Sequence, residues 1–203
     1  MNLLRPLILT ASVAALLAGC GGSATTSTPA PAASPPASSV PSGASTLRAE
    51  ATSAAAGDIP DNQVFLTFQN PAAGYSMKYP EGWAQSGSGA SVTFRDKNNI
   101  VRVLVTSAPP PTAASIESDL SALAGARVDH GPKALTIGGA QAFKAVYATE
   151  STPNAVTGKR VTLVVDRYYL AHGGKQAVVD LGSPRAVDNV DAYRLMIESF
   201  KWS

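Results

Sequence analysis

From residue 59 onward, apolar and polar positions mostly alternate with a period of two, which predicts a domain built mainly of strands. Val64 to Gln69 reads as the first strand. Tyr75, Met77 and Tyr79 alternate with Ser76 and Lys78 up to Pro80. Val92 and Phe94 face one way, and Asp96-Lys97-Asn98-Asn99 makes a turn. Val101, Val103 and Val105 then alternate with Arg102, Leu104 and Thr106. Pro109-Pro110-Pro111 ends that strand, because proline donates nothing to a ladder. Next, Ile116, Leu120 and Leu123 fall at i, i+4 and i+7 and predict a helix that stops at Gly125. Alternation then resumes. Leu135-Thr136-Ile137, Gly138-Gly139 and Ala140 to Thr149 read as a hairpin with a two-residue turn. Lys159 to Ala171 is strongly β-forming, and His172-Gly173-Gly174-Lys175 turns it into Gln176 to Leu181. Pro184 precedes a last helix. Asp188 and Asp191 suit its N-terminus, and Val190, Tyr193, Ile197 and Phe200 form its apolar stripe.

The predicted order is three or four strands, a helix, four strands and a C-terminal helix. Long hairpins of this kind predict an antiparallel sheet, and each helix must bury its stripe against a sheet face. Helices on opposite faces give a three-layer α/β/α sandwich. Helices on one face give a two-layer α+β domain.

The pattern upstream is different. Arg5 and the amino terminus precede an apolar run from Pro6 to Leu17, too short for the ~20 residues of a spanning helix. It reads as a signal peptide over residues 1–19. The run ends in Leu17-Ala18-Gly19-Cys20, which resembles the bacterial lipobox, and Cys20 is the only cysteine of the chain. The resemblance implies cleavage before Cys20 and acylation of its sulfur, with palmitate-like chains; two or more acyl chains hold a membrane firmly. Gly21 follows where an Asp would mark inner-membrane retention, so the expected location is the cell membrane or the outer membrane, with the domain facing the periplasm or the exterior. Residues 20–58 are rich in Ala, Ser, Thr and Pro and nearly devoid of large apolar side chains, so they are expected to stay disordered. Such a tether spans roughly 35 Å, and its prolines lengthen it. It serves as a spacer or as a glycosylated stalk.

Two segments of the remaining domain, residues 59–203, carry a resemblance. Gly74-Tyr75-Ser76-Met77-Lys78-Tyr79-Pro80-Glu81-Gly82-Trp83 resembles the opening of the PsbP-like superfamily, and Ile197-Glu198-Ser199-Phe200-Lys201-Trp202 resembles the helix end that closes it. The superfamily includes an extrinsic photosystem II subunit, a Ran-binding import factor and bacterial lipoproteins of the DcrB and LpqN sort. The resemblance implies an α+β fold in which an antiparallel sheet carries helices on both faces, the three-layer α/β/α sandwich. It implies members that mostly bind or support other proteins and are not enzymes; fold likeness alone transfers no function.

Charge and chemistry narrow the picture without naming an activity. The net charge is +2, and loss of Arg5 with the leader leaves +1. No basic stripe appears, so nucleic acid is not an expected partner. The two histidines, His130 and His172, would need Asp166 or Asp180 to complete a zinc site, so no metal or other cofactor is expected. No Gly-x-Ser-x-Gly elbow lies in the domain, and Gly87-Ser88-Gly89 reads as a flexible connection. Arg167, Asp166 and Lys159 read as a solvated sheet rim. The leading expectation is a non-enzymatic protein-binding or scaffold lipoprotein of the cell envelope. Tyr79, Trp83, Asp166 and Arg167 are its candidate binding surface, with Pro109 to Pro111 and the loop from Ser151 to Gly158 as further contacts. The alternative is a carrier of a small ligand or lipid, which requires a cavity lined by residues such as Phe143, Tyr147 and Leu163.

Overall fold

A computed structural model describes residues 47–48, 52, 56–154 and 156–203. The expected leader, Cys20 and most of the expected tether lie outside the described residues. Among the described residues from Phe65 to Trp202, ten strands and two helices follow in order: β1 Phe65–Asn70, β2 Tyr75–Pro80, β3 Ala84–Ser88, β4 Ser91–Asp96, β5 Asn99–Ser107, α1 Ala113–Ser121, β6 Arg127–Ile137, β7 Ala140–Glu150, β8 Thr162–His172, β9 Lys175–Pro184, α2 Val190–Glu198 and β10 Lys201–Trp202. The strands make a seven-stranded sheet, ordered β3-β4-β5-β9-β8-β7-β6, and a three-stranded sheet, ordered β1-β2-β10. Every pairing is antiparallel.

The helices take opposite faces of the large sheet, which resolves the layer question in favour of the α/β/α sandwich. On one face, Ile116 and Leu120 of α1 pack with Ala145, Tyr147, Leu163, Val165 and Tyr169. On the other, Tyr193, Met196 and Ile197 of α2 and Tyr75 and Met77 of β2 join Val101, Val103, Val105 and Val179. Alternation along β5 and β8 sends successive side chains to these two cores. Thr112 caps α1 with a reciprocal pair of bonds: its Oγ1 accepts from Ser115 N at 3.1 Å, and Ser115 Oγ accepts from Thr112 N at 2.9 Å.

Several expectations are corrected. The second, smaller sheet was not expected. Gly87-Ser88-Gly89 is no loose connection: Gly87 and Ser88 close β3, whose side chains are all exposed, so no apolar alternation marks it. The α1 helix ends at Ser121, ahead of Gly125, and Leu123 packs beside the core from the following turn. Strand β6 begins at Arg127, eight residues before the segment expected, and Lys159 precedes β8. The residue capping α2 is Asn189, not Asp188, and its side chain makes no cap bond; Asp188 Oδ1 accepts from Val190 N at 3.3 Å. Val190 is exposed and Met196 takes its place in the stripe. The closing motif is a helix end only as far as Ser199. Phe200 leaves the helix, and Lys201 and Trp202 pair with Ser76 and Tyr75.

That last pairing explains why two motifs at opposite ends of the domain go together. Phe200 stacks on Tyr75 with ring centroids 5.3 Å apart. Ser199 Oγ accepts from Lys78 N at 2.8 Å, and Ser203 N donates to the Gly74 carbonyl at 2.9 Å. The second motif thus covers the open edge of the strand that the first one forms.

Candidate functional site

The two ends of the seven-stranded sheet differ. At one end the chain enters the domain. Asn99, at the start of β5, donates from Nδ2 to the Gly57 carbonyl at 2.6 Å. Asn189 donates to the same carbonyl and to Asn99 Oδ1, both at 3.2 Å, and accepts from Ile59 N at 2.9 Å. Both asparagines are buried. This clamp holds the chain from Gly57, two residues ahead of the expected domain start. It also explains why Asn189 does not cap its own helix. The Ser151 to Gly158 loop stands at this end, since Glu150 pairs with Thr162 there.

At the other end are the tips of two hairpins. Gly138-Gly139 joins β6 to β7 and Gly173-Gly174 joins β8 to β9; all four glycines have positive φ, as a two-residue hairpin turn requires. Pairing within each hairpin runs to the turn, ending at Ile137↔Ala140 and His172↔Lys175. Pairing between the hairpins stops earlier, at Ala142↔Leu170. A cleft lies on each side of the sheet at this end. On the α1 side a cleft of about 340 Å³ is walled by Pro110, Pro111, Phe143, His172 and Lys175. On the α2 side one of about 330 Å³ is walled by Ile137, Leu170, Glu198, Phe200, Lys201 and Trp202. Ala140, Gln141 and Ala171 line both. His172 stacks on Trp202, with ring centroids 6.2 Å apart.

A third feature lies under α1. Arg167 is only 6% exposed. Its Nε and Nη2 donate to the two oxygens of Asp180 at 2.7 and 3.1 Å, and its Nη1 donates to Asp119 Oδ2 of α1 at 2.7 Å. Arg102 donates to Asp180 from the other side at 2.5 Å. The Tyr169 hydroxyl donates to Asp119 Oδ2 at 2.5 Å. Arg167 also lies over the rings of Tyr147 and Tyr169. Burial alone would lower the Arg167 pKa, but the hydrogen bonds and charge of Asp180 outweigh it and raise it further. Burial raises the Tyr169 hydroxyl, and its bond to Asp119 adds to the effect. Two guanidinium groups and two carboxylates balance, so the cluster is a charge-neutral bolt between helix and sheet. Both carboxylates are taken up by guanidinium or hydroxyl donors.

The four residues expected to share one binding surface do not share one. Tyr79 is half-buried and stacks on Phe94 at 4.3 Å. Trp83 is buried in the core on the α2 side. Asp166 and Arg167 are neighbours on β8 and therefore face opposite sides of the sheet. Asp166 pairs with Lys144 at 2.7 Å, beside Tyr168. The reading of Arg167 as a solvated rim residue is overturned by its burial. Among the described residues, neither His130 nor His172 is hydrogen-bonded to a carboxylate, and no group of three or more His, Cys, Asp or Glu side chains could hold a metal ion. Sequence reasoning passed over the bolt, although Asp180 carries a signal. A lone carboxylate inside Ala177-Val178-Val179-Asp180-Leu181 needs a buried cation from a neighbouring strand. Nothing in the sequence marks the two clefts, whose walls come from elements far apart in the chain.

The domain is thus an antiparallel α+β sandwich with two clefts at one end of the large sheet. Solved structures similar to it include cyanobacterial PsbP from Synechocystis sp. PCC 6803, 16% identical, covering 72% of this chain and 98% of that one with a TM-score of 0.49. The Ran-binding protein Mog1p of Saccharomyces cerevisiae is 10% identical over 70% of this chain and 96% of its own, with a TM-score of 0.46. LpqN, involved in cell envelope biogenesis of Mycobacterium tuberculosis, is 15% identical over 70% and 85%, with a TM-score of 0.37. PsbP and LpqN are names from the superfamily that the sequence resembles. No protein-family model matches the chain, and no curated protein matches it.

Proposed function

We propose that the chain is an exported lipoprotein whose folded domain is a non-enzymatic protein-binding or scaffold module of the cell envelope. In this reading residues 1–19 are removed, the Cys20 sulfur is acylated, and residues 20–58 space the domain from the membrane. The observation that supports it is the polarity of the domain. The chain enters at the Asn99–Asn189 clamp, and the clefts lie at the opposite end of the sheet. Strand β9 has ten residues, so the two ends stand roughly 30 Å apart at ~3.3 Å per residue. A tether joined at the entry end leaves the cleft-bearing end unobstructed by the tether. In this account the anchor is the acyl group; among the described residues no helix is long and apolar enough to cross a membrane.

The carrier reading has less support. Tyr147 and Leu163, which would line its cavity, are packed against Ile116 and Leu120. Phe143, the third residue named for it, lines the cleft on the α1 side. The proposal is tested by treating intact cells that make the tagged full chain with a cleavable cross-linker. One envelope protein should be recovered reproducibly with the wild-type chain. Recovery of none above the background of an unrelated lipoprotein would count against a partner-binding role.

A further inference from the structure

We propose that the half of the seven-stranded sheet left uncovered beside α1 is the seat of one helix from a partner protein, a helix whose apolar stripe is flanked by acidic residues. The inference rests on the partner-binding reading and names the surface and the chemistry of the partner. Three observations carry it.

First, among the described residues α1 fills only part of its layer. It packs on β7 and β8. Ladder partners share a face of the sheet, so rows of side chains can be followed out from under the helix. The row from Tyr169 on β8 passes Val178 and reaches Leu104 on β5, which is 40% exposed. The row from Val165 passes Gly182 and reaches Ile100, then Arg95 on β4. Ile100 and Val178 are half-buried at the margin of the α1-side core. Gly182 joins the two halves: Ile100 and Val165 close over it, 2.9 and 3.1 Å from where a Cβ would stand. Second, the open strip has the width of a helix. Strand β5 lies two strands from β8, roughly 10 Å at ~4.8 Å per strand. Packed helices stand about 8–10 Å apart, so a helix seated over β5 lies alongside α1 without displacing it. Third, the strip is cationic. Arg95 makes no hydrogen bond or ion pair among the described residues. The Arg102 side chain is 44% exposed and commits Nε and Nη2 to Asp180, which leaves Nη1 for an incoming acceptor. Asp180 itself is buried and shared with Arg167. Acidic side chains one helical turn apart meet both guanidinium groups, while the apolar stripe covers Ile100, Leu104 and Val178. Two such strips repel each other, so the occupant is not the same face of a second copy.

The probe is a display library of helix-forming peptides randomised on one face, selected on the full chain purified from membranes in detergent. Enriched peptides should carry Asp or Glu beside apolar residues spaced i, i+3 or i, i+4. Arg95→Glu should weaken the selected peptides at least tenfold, and Leu104→Glu severalfold. Both side chains lie outside the two buried clusters, so each variant should keep the wild-type urea midpoint. Lys133→Glu makes the same charge change on the other face of the sheet, where Lys133 shares a row with Lys144 and Tyr168, and should leave affinity unchanged. The proposal is overturned if no peptide is enriched, if the enriched peptides lack acidic residues, or if they bind Arg95→Glu and Leu104→Glu as well as wild type. A partner recovered by cross-linking in equal yield from wild type and both variants would remove the helix seat and leave the partner-binding role standing.

Discussion

At the scale of single residues, one carboxylate does two jobs. Asp119 accepts from both Arg167 and Tyr169, and so fastens α1 to β8 by charge and by a neutral hydroxyl. Removing the cation leaves Asp180 buried beside a cavity, with Arg102 as its remaining partner. Breaking a buried pair costs about 3–5 kcal/mol, and Arg102 should hold the loss near the lower figure. Arg167→Ala is therefore expected to lower the urea midpoint well beyond Lys144→Ala, whose half-exposed pair with Asp166 is worth ~1 kcal/mol or less. Equal midpoints for the two variants would contradict the bolt. The tyrosines make a separate prediction. Burial raises the hydroxyl pKa of Tyr75, Tyr147, Tyr168, Tyr169 and Tyr193 above the ordinary value near 10. Above pH ~10 the unfolded chain loses these protons while the folded chain keeps them. The folded state then binds more protons, so stability falls as pH rises from there. Tyrosinate absorbance from these residues should appear together with loss of ellipticity in one alkaline transition. Their ionisation well before unfolding would show the hydroxyls to be solvated.

At the scale of elements, α1 is short and depends on its ends and its stripe. It has nine residues, too few to persist alone in water. Thr112→Ala removes the capping bond and should cost about 1 kcal/mol. Leu120→Ala empties a buried position and should cost about 2–5 kcal/mol. Both are read from denaturant midpoints, and a larger loss for the cap than for the core residue would refute this division. How far the elements were legible follows from the same physics. The Gly138-Gly139 and Gly173-Gly174 hairpins, β2 and β5 could be read because turn chemistry and strict alternation coincide there. Strand β3 could not, since an exposed edge strand of Ala, Gln, Ser and Gly has no buried face to impose alternation. Strand β10 was hidden because two residues carry no period; its pairing with β2 is long-range. Arg167 was misread for a related reason. Its partners Asp180 and Asp119 become neighbours only once register and helix placement are known. The clefts were beyond sequence altogether, because their walls come from elements far apart in the chain.

At the scale of the whole molecule, the proposed function turns on which end the tether joins and which end it leaves free. The anchor is tested by Cys20→Ala, which should leave the precursor uncleaved and without acyl mass in a mass spectrum. Normal cleavage with retention at the membrane would show that something other than this sulfur holds the chain. The clamp belongs to the same scale. Asn189→Ala frees Gly57 and Ile59 from their shared partner, and amide hydrogens of that segment should exchange faster while those of β8 and β9 keep their protection. The most direct measurement is site-specific photo-cross-linking in intact cells. A photoreactive residue replaces Pro110 beside the hairpin tips or Thr152 at the entry end of the full chain. The account predicts a discrete protein adduct from position 110 and none of comparable yield from position 152. Adducts from position 152 alone, or lipid adducts from position 110, would contradict the proposal that the cleft-bearing end faces a partner.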